Sequence, residues 1–326
     1  MIGKKASSIS NTELDITTVV HVPHEGLKRS LRRLNRQKYL MVLVLPAFLT
    51  ILIFNYFPIY GLIIAFKDYR IGRGILGSSW VGLKWFIRFL NNPLSFRLFR
   101  NTFLLGGFSL LWGFPAPIIL AILLNEVINR TFKRAVQTVS YLPHFISVVV
   151  IVGILKEIMS LHGPVNAVLV GWGIKPVQFF ARPEWFRTLF IGSNIWQSVG
   201  WSSIIYLAAL SGVDPQLIEA SLIDGANRWH KIIHISIPTI MPTIVILLIL
   251  SMGAILGSDF MKVLLMYNPL TYETADIIGT YVYREGIVDG NYSMATAVGL
   301  FMSALSFLFV FIANKISQRV SETSLW

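Results

Sequence analysis

Six stretches of this chain contain no Asp, Glu, Lys or Arg: residues 39–66, 101–125, 135–155, 188–213, 235–258 and 291–314. The hydrocarbon core of a bilayer is about 30 Å thick and is crossed by on the order of 20 helical residues. Each stretch is long enough. A charge at the centre of such a helix costs about 2.5–3.5 kcal/mol, so an uncharged run this long marks a segment built for lipid. The rest of the composition agrees, with 54% hydrophobic and only 13% charged residues, against roughly 25% charged in soluble domains. A spanning segment must satisfy its own backbone hydrogen bonds, which leaves helices or closed barrels. Continuous apolar runs, rather than alternating segments of about 10 residues, exclude the barrel. The expectation is an all-α membrane protein of about six transmembrane helices. One membrane domain would cover 39–316, between a basic segment at 1–38 and a tail at 317–326.

Charge outside the runs sets an orientation. The net charge is +12, and Lys28, Arg29, Arg32, Arg33, Arg36 and Lys38 crowd the approach to the first run. Basic residues beside a span stay in the cytoplasm. Both termini, the 130–134 turn and the loop after the fourth run are therefore expected there, with the basic cluster touching anionic lipid. It is expected to begin a basic helix over 28–38. The first 38 residues have no early apolar core, which argues against a signal peptide. Three external segments follow. Residues 67–100 hold seven basic residues, against the rule, with Trp80, Trp85, Phe86, Phe89, Phe96 and Phe99 among them as interface aromatics. Residues 156–187 are broken by Gly163, Pro164, Gly171 and Gly173, with a shallow helix at 165–170. Residues 259–290, with five acids and two bases, are the acidic segment. The absence of cysteine excludes disulfides and thiolate chemistry.

Between the fourth and fifth runs, residues 219–238 read E-A-S-L-I-D-G-A-N-R-W-H-K-I-I-H-I-S-I-P. This resembles the EAA loop of ABC-importer permeases, in which E-A-A is followed by three residues, Gly, nine residues and I-x-L-P. Glu219, Ala220, Gly225, Ile235 and Pro238 match; Ser221 and Ile237 replace Ala and Leu. Further landmarks of sugar-type permeases are Val81-Gly82-Leu83 with Trp85-Phe86, Arg100-Asn101-Thr102, Tyr141-Leu142-Pro143, Gly163 with Asn166, and Asp214-Pro215-x-Leu217-x-Glu219. They cover about residues 80–315, with a family core at about 95–315, and point to the maltose-type group that includes the alginate importer. The resemblance implies the type I importer fold in a bacterial inner membrane. It also implies a second homologous permease, two ATPase subunits that carry ATP and Mg, an extracytoplasmic binding protein and an oligosaccharide cargo, with acidic, alginate-like sugars within its range. The chain itself would bind no cofactor and no nucleic acid. Glu219, Ala220, Ser221, Asp224, Gly225, Ala226 and Trp229 would couple to an ATPase.

The loop residues support a force-bearing element. Asp214 is a favoured N-cap and Pro215 suits the first helical position. Gly225 can take the left-handed conformation that ends a helix. Asn227 can cap a second short helix with Trp229, Ile232 and Ile233 on one face, and Pro238 and Pro242 would disturb the chain as it enters the fifth run. The loop at 214–238 is thus expected as two short helices across the membrane surface, docked on a partner or lying on lipid. His230 and His234 are four apart, yet two ligands without H-E-x-x-H do not make a metal site.

Polar side chains inside spans tend to face the bundle interior or a water-filled cavity. Tyr141 and His144 in the third run, and Asn194, Trp196, Gln197, Trp201 and Tyr206 in the fourth, form the candidate substrate path. Aromatic faces stack on sugar rings, and amides and hydroxyls match sugar hydroxyls. The same residues also serve as interface anchors and helix glue. Gly253-x-x-x-Gly257 reads as a close-packing face. The chain lacks a P-loop, because Gly77–Gly82 is followed by Leu83 rather than Lys. A secondary transporter or channel is the first rival, but His144 is the only ionisable group other than tyrosine well inside a run. A membrane-embedded enzyme is the second, and Asp214, Glu219 and Asp224 are already explained as loop residues.

Overall fold

The computed structural model describes residues 38–257 and 259–320; the basic cluster expected to begin a helix lies almost wholly outside them. Two compact units are distinguished, residues 1–60 and 61–326. All packing described below belongs to the second.

Helix α1 (Met41–Phe66) leads into a small antiparallel hairpin, β1 (Lys67–Asp68) and β2 (Ser79–Trp80), paired Lys67↔Trp80 and Asp68↔Ser79. Then come α2 (Lys84–Leu90), α3 (Ser95–Glu126), α4 (Arg130–Tyr141), α5 (Val148–Ile158), α6 (Pro164–Gly171) and α7 (Pro183–Leu210). The loop helix α8 (Pro215–Ile223) precedes α9 (Arg228–Gly257), α10 (Phe260–Met266), α11 (Ile278–Tyr283) and α12 (Tyr292–Val320).

Among the described residues, α1, α3, α9 and α12 are each long and apolar enough to cross a bilayer alone. The third run does not form one straight crossing. Its helices meet at 104°, because Pro143 lacks the N–H a continuing helix needs. Residues 142–145 tighten into a 3-10 turn, and Ser147 restarts the helix by accepting from the Val150 N–H at 3.4 Å. The fourth run becomes α7, 28 residues long, or about 42 Å at 1.5 Å per residue. Its Asn, Gln and Ser side chains keep it less apolar than the other four, as expected of a helix whose polar face is turned inward.

Two boundaries differ from expectation. Helix α3 starts at Ser95, inside the supposed external segment, so Arg97 and Arg100 lie on its first turns. The second short helix of the loop is not separate but is the first turn of α9. At residues 232–236 the rod widens to a π turn, with the Ile237 N–H on the Ile232 carbonyl. A wider turn accommodates Pro238, which has no N–H, without a break.

Packing is concentrated around the segments that connect the long helices. One cluster joins Phe186 and Phe190 of α7 to Val263, Met266 and Ile277. Another joins Trp85, Phe89 and Leu98 to Ile278, Tyr281, Met294 and Val298. Trp85 and Phe89 are thus core residues, not interface aromatics; the Trp85 indole donates to the Lys67 carbonyl at 3.0 Å. A smaller cluster of Ala121, Tyr206, Leu210 and Ile240 ties α3, α7 and α9 together.

Helices touch where side chains vanish. A Cβ on Gly106 of α3 would overlap the Ile255 carbonyl of α9, and one on Gly200 of α7 would overlap the Ser140 carbonyl of α4. Gly253 of α9 is pressed by Val310 of α12, whereas Gly257 has open space, so only half of that glycine pair is a packing face.

Candidate functional site

The loop after α7 folds as its local signals dictate. Asp214 accepts from the Gln216 N–H at 2.9 Å, Pro215 opens α8, Gly225 sits at φ +75°, and Asn227 accepts from the His230 N–H at 2.9 Å to start α9. Ser221 closes on its own helix, donating to the Ile218 carbonyl at 2.7 Å. Glu219, Ala220, Asp224 and Gly225 are exposed, with Ser221 and Ala226 half-buried. Beside them stand Leu217, Leu222, Ile223 and Trp229, with Ile223 at 87% and Trp229 at 69% exposure. An apolar ridge of this size, on α8 and the capped first turn of α9, lacks a covering partner among the described residues. The rings of His230 and His234 stack at 5.7 Å.

Helix α7 carries the second site. A cavity of about 620 Å³ opens between α3, α7 and α9, within the roughly 300–1,000 Å³ typical of ligand sites. Of the expected path residues, Asn194, Trp201 and Tyr206 line it, joined by Ser198, Ser202 and Ser251. Trp201 is backed by His144, whose ring stacks on it at 4.6 Å and 2°. Trp196, Gln197 and Tyr141 do not line the cavity. Trp196 is 49% exposed on another face, and Gln197 donates to the Ile146 carbonyl at 3.4 Å, bracing α7 against the elbow.

Two charged residues were invisible to the reading of runs and loops. Lys262 of α10 is completely buried, its ammonium donating to Asn194 Oδ1 at 2.6 Å and Gln197 Oε1 at 3.3 Å. Helix α10 lies between the spans rather than in one. Burial pushes the ammonium down to about 8, with the Asp259 charge opposing, so it remains mainly charged at neutral pH. Asp276 is buried just as completely. Arg284 grips it with two bonds of 2.8 Å, Thr280 donates at 2.8 Å, and Arg97 stands at 3.7 Å. The Asp276 carboxylate holds the Arg284 guanidinium well above its ordinary value. Around it, Asn101 donates to the Glu273 and Asp276 carbonyls at 2.9 and 3.0 Å and accepts from Arg187 at 3.2 Å. The segment that looked acidic by count therefore presents little free acid at Asp276. Asn101 belonged to a recognised triplet, but its partners lie 86 to 175 residues away, and no sequence signal announces them.

Residues 113–322 match the family described as binding-protein-dependent transport system inner membrane component. The chain is similar to the polygalacturonan/rhamnogalacturonan transport system permease protein YteP of Bacillus subtilis (strain 168), 44% identical over 303 residues, covering 93% of this chain and 94% of that protein. It is also similar to the lactose transport system permease protein LacF of Rhizobium radiobacter, 30% identical over 203 residues, 62% of this chain and 67% of that protein. Among solved structures, a chain of a bacterial alginate ABC transporter in complex with an alginate pentasaccharide-bound periplasmic protein is 41% identical. It superposes with a TM-score of 0.84 over 91% of this chain and 100% of that one.

Proposed function

The chain belongs to the family of binding-protein-dependent transport system inner membrane components, as a permease subunit of an ABC importer, and on that premise we propose that it forms half of a pore carrying acidic oligosaccharides. It is a multi-pass inner-membrane protein. Two similar proteins named for their cargo take polygalacturonan or rhamnogalacturonan and alginate, all of them acidic polysaccharides. The second half of the pore is a homologous permease, two ATPases hydrolyse ATP with Mg on the cytoplasmic side, and a binding protein delivers the sugar from outside. Both termini lie in the cytoplasm, and the membrane domain spans 39–316.

One observation carries the mechanism. Helix α7 holds the cavity wall from Asn194 to Tyr206 and ends at Leu210, four residues before Asp214 caps α8. A push on the exposed ridge of Leu222, Ile223 and Trp229 is therefore delivered to the helix that lines the cavity. Glu219 pairs with a group on the ATPase, Ala220, Ser221 and Ala226 let the surfaces approach, and Asp224 and Gly225 shape the turn between α8 and α9. ATP-driven closure of the ATPases shifts the loop and turns the cavity outward; release of nucleotide reverses it. Inside the cavity, Trp201 offers a ring face and Asn194, Ser198, Ser202 and Tyr206 offer hydrogen bonds to a sugar. A gradient-driven carrier does not account for kinship with binding-protein-dependent systems.

The test is reconstitution of the chain with its copurifying permease and ATPases in liposomes. Loaded binding protein should raise ATP hydrolysis and drive uptake of an acidic oligosaccharide. Uptake driven by an ion gradient in the absence of ATPases would overturn the reading.

A further inference from the structure

We propose that the wall of the α7 cavity is an anion-selective subsite, in which Asn194 receives a sugar carboxylate and the Lys262 ammonium behind it supplies the charge. The inference rests on the oligosaccharide reading above and adds the element that would distinguish acidic from neutral cargo.

Lys262 carries a charge that touches no counter-ion among the described residues. Burying an ammonium is costly unless it is paired, and ionisable groups held among spans usually serve function. Lys262 is buried completely, yet both its partners, Asn194 and Gln197, are neutral amides. Among the described residues no carboxylate comes within ion-pairing distance of it. Asp259, three residues earlier, is exposed at the cavity and acts on Lys262 only through space. The other fully buried charge, Asp276, has two arginines. The difference is one of completion: Asp276 is neutralised by its own chain and Lys262 is not.

The geometry gives that charge an outlet. An ammonium has donors only, so it fixes the Asn194 side chain with its oxygen turned to Lys262 and its NH2 turned away. Asn194 lines the cavity, and among the described residues its NH2 has no hydrogen-bond partner. A sugar hydroxyl can be received by Ser198 or Ser202 without drawing on Lys262. A carboxylate that accepts from Asn194 would lie one amide away from the ammonium, in a cavity that Asp259 also lines. Lys262 is thus a positioning residue that also polarises its contact residue.

The experiment uses the complete importer in lipid nanodiscs and measures equilibrium binding of labelled trigalacturonate and of its neutral counterpart galactotriose. Lys262→Met should weaken trigalacturonate binding on the order of tenfold, as for loss of one partly buried charge contact, and leave galactotriose binding unchanged. Lys262→Arg should keep the preference for the acid. Asn194→Asp keeps the lysine but gives it a counter-ion inside the protein, and should abolish the preference with the fold intact. The proposal is overturned if Lys262→Met keeps the wild-type preference, or loses both ligands equally. If the wild-type complex binds both sugars alike, this inference fails and the importer reading stands. If it binds neither, the oligosaccharide reading falls and takes the inference with it.

Discussion

The loop from Asp214 to the first turns of α9 and the segment from α10 to α11 both connect longer helices, and they solve burial in opposite ways. The α10–α11 segment folds onto its own chain: Val263, Met266, Ile277, Ile278 and Tyr281 are buried and Asp276 is gripped by Arg284. In the loop, Leu217, Leu222, Ile223, Trp229 and Ile233 are all more than half exposed. Burying an apolar side chain of this size is worth about 1.5–3 kcal/mol, so several such residues left outside represent a large unrealised stabilisation. One region is finished within the chain; the other leaves its apolar face uncovered among the described residues. Stability and coupling should therefore be separable by mutation.

The largest effect is expected at Asp276. Replacing it with Ala leaves the partly exposed Arg284 and Arg97 without their counter-ion, a loss of about 3 kcal/mol, the low end for broken buried ion pairs. Thermal unfolding of the detergent-purified protein should show it, and an unchanged Tm would mean that the α10–α11 segment is not the internally completed region. Next comes the pair Ile223→Ser with Trp229→Ser. Loss of anchors in a docked interface costs about 2 kcal/mol or more each, so binding-protein-stimulated ATP hydrolysis should fall more than tenfold while Tm holds. A fall in Tm comparable to that of Asp276→Ala would break the contrast. Gly225→Val forces a β-branched residue to φ +75°, a strain of about 1–3 kcal/mol confined to the turn. Coupled ATP hydrolysis should suffer and membrane insertion, read by expression level, should not. The smallest is Asp214→Ala, which removes one cap worth roughly 1 kcal/mol. It should appear as faster amide exchange in α8, with little change elsewhere.

What the sequence made legible follows from range. Asp214, Pro215, Gly225 and Asn227 act on neighbours two or three residues away, so their roles could be stated before any coordinates. The apolar runs were equally plain, since one side chain type dominates each. Pro143 is legible in the third run only as part of a landmark triplet, and the depth of its bend depends on what packs against both arms. Lys262 and Asp276 were hidden because their partners lie on other elements: Asn194 for the one, Arg97 and Arg284 for the other. Counting charges by segment assigned both to a solvated external loop, and burial reversed that. On α7 the composition listed polar and aromatic residues without fixing which way each one faces. Asn194, Trp201 and Tyr206 point into one cavity and Trp196 points elsewhere, because a long helix has several faces and composition does not choose among them.

The missing side chain at Gly200 has a mechanical result. With the α4 backbone seated directly on α7 at Ser140, no compressible layer of side chains separates the two rods, so neither can slip before the other responds. A small tilt imposed at the end of α7 would reach the 104° elbow beyond α4 without lost travel, as through meshed gears lacking backlash. Even a methyl group there would open the mesh, and the stroke would dissipate before arriving.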